Sequence, residues 1–198
     1  MKYPQPLLTL IARLKKLPGV GSKTAERFAF DLLDWQGADL KSLVDSINEI
    51  KTSIKHCPQC HCLTEKELCH FCTDPYRDQK SICIAASIRD VFSIEETHAF
   101  QGLYHIIPAL LSPLKGHSAN DLKLDLLKTR IDALQVEEVI IALDSTLEGD
   151  TTSLYVKQQL DLWNIKSSRI AFGLPMGSSL DFVDRGTLAH AICRRLQF

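Results

Sequence analysis

Two Cys-x2-Cys pairs, Cys57-Pro58-Gln59-Cys60 and Cys69-His70-Phe71-Cys72, are separated by eight intervening residues and constrain this chain more than any other feature. Each pair folds into a tight knuckle presenting two thiolates to one cation, and two knuckles complete a tetrahedral, closed, structural Zn²⁺ site. His56, His61, His70 and Cys62 lie close enough in sequence to compete for a position, but the symmetric four-cysteine choice needs no irregular spacing. A redox dithiol is the rival reading of a lone Cys-x2-Cys, and a tandem pair disfavours it. Five of the seven cysteines fall in this stretch while Cys83 and Cys193 stand alone in apolar surroundings, unlike a secreted disulfide framework. So short a segment has little core, so the metal is expected to supply its folding energy.

Before the cysteines the pattern is helical. Leu7, Leu10, Ile11 and Leu14 recur at helical spacing from Pro6 to Lys16. After Leu17-Pro18-Gly19-Val20-Gly21, Ser22 is placed to cap a second helix with Ala25, Phe28, Ala29 and Leu32 on one face. A third is expected from about Asp39, with Leu40, Leu43, Val44, Ile47, Ile50 and Ile54 in a stripe. Gly19 and Gly21 let the backbone turn and approach a ligand closely, and the following helix directs unpaired N–H groups and its positive dipole end outward. Lys23 and Arg27, four apart, share a helix face and can flank one stretch of nucleic-acid backbone. This is a helix-hairpin-helix arrangement, which reads phosphates rather than base edges. A plain helix-helix connection is the rival. From Met1 to Phe30 six basic residues face one acid, a net of +5, whereas Ser81 to the end carries 11 Lys and Arg against 14 acids, a net of −3. A basic end on a mildly acidic body suits an anion-binding module, although a solvated helix face gives the same counts.

After the cysteines, β-rich runs at Ser81–Ala85, Leu103–Ile107, Val139–Leu143 and Ser168–Phe172 alternate with helical patterns at about Asp90–Phe100, Asp121–Leu134, Thr151–Trp163 and Asp184–Leu196. Such alternation predicts an α/β fold with a mostly parallel, helix-covered sheet. Asp144, Glu148 and Asp150 follow the third strand, where such sheets place ligands, and could hold Mg²⁺ weakly or meet a partner. Asp150 could equally cap a helix starting at Thr151. No run of about 18 apolar residues and no signal-peptide pattern occurs, so a cytoplasmic protein is expected.

The ordered set of Leu17-Pro18-Gly19-Val20-Gly21-Ser22-Lys23-Thr24-Ala25, the tandem cysteine pairs, Arg77-Asp78, Ser112-Pro113-Leu114, Thr146-Leu147-Glu148-Gly149-Asp150 and Arg169-Ile170-Ala171-Phe172-Gly173-Leu174-Pro175-Met176-Gly177 resembles the RecR family of bacterial recombination mediators. The resemblance implies a helix-hairpin-helix region at 1–55, a four-cysteine zinc finger at 56–73, a Toprim domain at 79–174 and a C-terminal assembly segment at 175–198. It implies a non-enzymatic, ring-like homo-oligomer, dimeric or tetrameric, that binds single- and double-stranded DNA without sequence preference. Such proteins act at the nucleoid with RecO, and in many bacteria RecF, to load RecA on single-stranded DNA. By position, Lys23 and Arg27 match the family's DNA-contacting residues, in the segment holding Gly19 and Gly21, and Cys57, Cys60, Cys69 and Cys72 match its zinc ligands.

One departure bears on chemistry. Toprim domains that transfer phosphoryl groups carry a Glu at the end of their first strand, and Ile82-Cys83-Ile84-Ala85-Ala86-Ser87 places Ala86 there. A methyl group is neither a general base nor a metal ligand, which weighs against the alternative of a Mg²⁺-dependent Toprim nuclease or primase-like enzyme. Pro108-Ala109-Leu110 likewise replaces a glycine-containing stretch before Ser112.

Overall fold

The computed structural model describes residues 3–171, 173–174, 177–193 and 195, in two compact units divided between Ile54 and Lys55. The first unit is helical: α1 (Gln5–Leu14), α2 (Ser22–Leu33) and α3 (Gly37–Ser53). Helices α1 and α2 pack together and bury Leu7, Ala25 and Ala29. Tyr3 meets Phe30 edge-on at a centroid separation of 5.4 Å, and its hydroxyl donates to Glu26. Ser22 does not cap α2: it is the first helical residue, Gly21 is the N-cap, and no side chain supplies the cap bond. Helix α3 starts two residues before the expected Asp39. Of its apolar stripe, Leu43, Val44, Ile47 and Ile50 are exposed.

The second unit opens with a short antiparallel pair, β1 (Lys55–His56) and β2 (Leu63–Thr64), and the single helical turn α4 (His70–Thr73). Then follow β3 (Asp78–Ala85), α5 (Ile88–Glu95), β4 (Gly102–Ile106), α6 (Leu124–Leu134), β5 (Glu138–Ala142), α7 (Leu147–Leu162), β6 (Lys166–Arg169) and α8 (Arg185–Cys193). The larger sheet is parallel throughout, in the order β4-β3-β5-β6. Alternation along its strands accounts for its two covered faces. Ile82, Ile84, Leu103, Val139 and Ile141 join Leu127, Ile131, Val156 and Leu160 of α6 and α7 in one core. Cys83, Ala85, Tyr104 and Ile106 join Val91 of α5, Phe71 and the knuckle cysteines in the other.

Several boundaries differ from the sequence reading for local reasons. Helix α5 stops at Glu95, and a 3-10 turn (Ala119–Leu122) replaces the start of the helix expected from Asp121. Helix α7 begins four residues before Thr151, because the Thr146 hydroxyl accepts the Gly149 N–H at 3.1 Å and acts as the cap. Asp150 is therefore not the cap but an acid in the first turn, with Glu148, where the helix dipole favours negative charge. Strand β6 ends at Arg169. Phe172, Pro175, Met176, Arg194 and residues 196–198, parts of the expected last strand, its following loop and the C-terminal assembly segment, lie outside the described residues, as does Lys2.

Candidate nucleic-acid interface and zinc centre

The hairpin between α1 and α2 turns at Gly19, whose φ of +77° lies in the left-handed region open to glycine. Gly21 needs no such freedom: it is extended, and a Cβ there would meet nothing within 4 Å. What Gly21 provides is an open approach to the first N–H groups of α2. Lys23 and Arg27 are both exposed on that helix, and among the described residues neither forms a salt bridge. The Arg27 guanidinium lies 5.6 Å from the Phe28 ring centroid. The result is a cationic face with unspent donors.

In the second unit the ligand atoms of Cys57, Cys60, Cys69 and Cys72 all lie within 4.8 Å of one another. A tetrahedral zinc with bonds of about 2.3 Å puts its sulfurs about 3.8 Å apart, so these positions fit a single ion. None of the four is in a disulfide, and Cys57, Cys60 and Cys69 are buried. The Cys69 thiol is held down by hydrogen bonds from Cys60, Cys62 and Cys72, whereas Cys72 is pushed up by its bonds to Cys60 and Cys69 and then by burial. Binding of a cation displaces the thiol protons and turns all four sulfurs into thiolate ligands. Buried on nearly all sides, the set leaves no open coordination position for chemistry, so its role is structural. Cys62 is also buried, yet it lies outside the four-ligand group.

This centre is built into the edge of the sheet. Strand β4 is an edge strand, and its Ile106 N–H donates to the Cys60 carbonyl at 2.8 Å. The Phe71 ring packs against Tyr104 at 5.0 Å, and the Arg77 guanidinium lies 5.0 Å from Phe71 and 5.3 Å from Tyr104. Arg77 makes two 2.8 Å bonds to the Glu95 carboxylate and another, from Nε, to the Gly102 carbonyl. Tyr104 donates its hydroxyl to Glu95 at 2.7 Å. The hydrogen bond from Arg77 keeps the Glu95 carboxylate below its usual range.

At the C-terminal ends of the strands, Ala85 is in register with Ala142, so Ala86 lies at the same end as Asp144. Ala86 packs against the core. The Glu148 carboxylate is 4.0 Å from Lys115, and Asp150 accepts from Arg169 at 2.6 Å. Among the described residues the four cysteines are the one set of three or more potential ligand groups drawn together; the acidic loop is not. Gly149 is fixed by contact, since a Cβ would come 2.0 Å from the Asp144 carbonyl oxygen. No spacing or motif in the sequence singles out Glu95, Tyr104 or Arg130. The one available signal is Arg130 beside the apolar stripe Leu124, Leu127, Ile131 and Leu134 of α6.

Four stretches of the chain match known family models. Residues 7–51 match the RecR helix-hairpin-helix model, 54–74 the RecR four-cysteine zinc-finger model, 80–171 the Toprim domain model and 173–192 the RecR C-terminal model. The chain is 54% identical to the Recombination protein RecR of Protochlamydia amoebophila over 198 residues, the whole of both chains. The chain belongs to the RecR family. Members from Chlamydia abortus and from Chlamydia trachomatis serovar D are 46% and 45% identical over 197 residues, 98% of each chain. Membership in RecR carries a role in recombinational DNA repair, DNA binding, and one structural zinc that fits Cys57, Cys60, Cys69 and Cys72. Among the described residues no helix is long and apolar enough to cross a membrane.

Proposed function

We propose that this chain is a non-enzymatic recombination mediator that binds single- and double-stranded DNA through phosphates and acts with RecO, and with RecF, to load RecA on single-stranded DNA. The observation that carries the DNA contact is the exposed pair Lys23 and Arg27 on the helix that follows the left-handed turn at Gly19. Cations on one helix face, beside open backbone donors at Gly21, neutralise phosphate without reading base edges. In this reading the hairpin region spans 1–55, the finger 56–73, the Toprim domain 79–174 and the assembly segment of a ring-forming homo-oligomer 175–198. The protein works in the cytoplasm, at the nucleoid.

Phosphoryl transfer is disfavoured by the apolar Ala86 opposite the acidic loop and by the cations already beside Glu148 and Asp150. Asp144, Glu148 and Asp150 serve instead as a docking point for a basic surface on RecO or RecF, with complementarity setting partner choice. The test is a salt titration of DNA binding by wild type and by Lys23→Glu with Arg27→Glu. The double variant is expected to bind all sequences more weakly and with a flatter salt dependence. Unchanged affinity refutes the assignment. An assay on single-stranded, nicked and supercoiled DNA with Mg²⁺ or Mn²⁺ addresses the other reading: turnover abolished by Glu148→Ala would establish an enzyme.

A further inference from the structure

Among the described residues the charge of Arg130 meets no carboxylate in a salt bridge. Arg130 projects from α6 into the junction between sheet and finger and is only 7% exposed. Its Nη1 donates to the Tyr104 carbonyl at 2.5 Å and its Nη2 to the Cys72 sulfur at 3.2 Å, across 58 positions of sequence. Its Nε is buried without a partner among the described residues. A guanidinium removed from water at this depth is strongly unfavourable unless an anion compensates it. A divalent cation with four thiolates is such an anion, since the ligands outweigh the ion and leave a dianion. The buried cation and the metal centre thus carry opposite charges and sit in direct contact.

We propose that Arg130 is the counter-cation of the zinc centre, a positioning residue that hydrogen-bonds the Cys72 sulfur while its other arm holds the edge carbonyl of β4. Two consequences follow. By drawing charge from the Cys72 sulfur it stabilises that ligand as a thiolate and slows loss of the metal. Because the same planar group holds Tyr104, the loaded metal is fastened to the sheet edge and the finger does not swing as a separate module. Arginine suits this role: its rigid fork reaches sulfur and carbonyl together, its charge is permanent, and lysine offers a point charge in place of the fork. Groups that orient and electrostatically support metal ligands typically contribute about 10–100-fold in metal affinity.

The test uses the full chain loaded with zinc, one ion per chain being verified first by metal analysis, and then with cobalt as a spectroscopic probe. Arg130→Gln keeps hydrogen-bond donors but removes charge, and Arg130→Lys keeps charge but removes the fork. Zinc transfer to a colorimetric chelator is expected to be about 10–100-fold faster in Arg130→Gln, with Arg130→Lys intermediate. The sulfur-to-cobalt charge-transfer band is expected to move to lower energy in the same order, a shift that a purely packing role does not produce. Zinc release within twofold of wild type in both variants, or an unmoved cobalt band in a folded variant, overturns the proposal. Should Arg130→Gln not fold, Arg130→Lys decides alone: a spectrum and release rate identical to wild type overturn it, and a shifted band with faster release supports it.

Discussion

The Ile106 N–H donates to the Cys60 carbonyl at 2.8 Å, joining the outermost strand of the parallel sheet to the first zinc knuckle. An edge strand presents unpaired backbone groups that invite association with other chains, and here the finger covers part of that edge. The metal site and the Toprim sheet are therefore one folding unit, with Phe71, Arg77 and Tyr104 stacked between them. Binding of zinc stabilises more than its own loop.

Removing zinc should accordingly uncover β4. We expect the metal-free protein to melt roughly 10 °C or more below the zinc form, the response of a chain this size to a loss of several kcal/mol, and to self-associate at higher concentration. Calorimetry and sedimentation before and after chelation measure both. Cys69→Ser with Cys72→Ser should reproduce the effect without chelator and abolish the single bound zinc. Full zinc retention in that variant contradicts the ligand assignment.

Glu95 ties α5 to the residue that leads into β3 and to the edge strand β4 by accepting from Arg77 and Tyr104. Its pKa is lowered, first by the Arg77 hydrogen bond, so the stabilisation is present above the ordinary carboxylate pKa and is lost as pH falls through the depressed value. Glu95→Gln leaves Arg77 buried with weaker compensation. The carboxylate is one-third exposed, so the cost at neutral pH is expected to be only about 1–2 kcal/mol. Denaturant melts of the two proteins should converge in acid; a gap that widens below about pH 4, the ordinary carboxylate value, excludes this account.

His105 gives a second pH dependence, of different origin. It is 1% exposed, and burial, then the Arg130 charge, then His61 lower its pKa from 6.5 to about 3. Between those values the unfolded chain takes up a proton that the folded chain refuses, so stability falls as pH falls below 6.5. The loss from about pH 6.5 to about pH 5 is about 2 kcal/mol from this group. His105→Asn should flatten that part of the profile, read from chemical denaturation in zinc-containing buffer. An unchanged slope rules His105 out as its source.

Gly149→Ala tests the acidic loop by contact rather than charge. The added methyl would lie 2.0 Å from the Asp144 carbonyl oxygen, and a backbone atom can yield only by moving the loop or the first turn of α7. We expect destabilisation of about 1–3 kcal/mol with zinc content unchanged, and a displaced Asp144 to Asp150 segment in amide NMR spectra. Wild-type stability in this variant would show that the turn can open to admit a methyl group.

Local chemistry made much of this protein legible in its sequence. Cysteine spacing defines the metal ligands because a knuckle closes over a few bonds, and the alternation of β-rich and helical runs announces a parallel sheet because buried strands need helical cover. Helix boundaries were less readable: Thr146, not Asp150, caps α7, since the choice between two nearby cap candidates depends on which backbone the fold bends toward the other. The sequence shows which side of α3 is apolar, but not that this side is left exposed. Only the tertiary structure brought Arg130 to Cys72 and Tyr104, 58 and 26 residues away, and Arg77 to Glu95 and Gly102, 18 and 25 residues away. Those pairings follow from where α6 crosses the sheet and where the finger meets its edge. Long-range packing sets both, and no periodicity or spacing along the chain encodes such a distance.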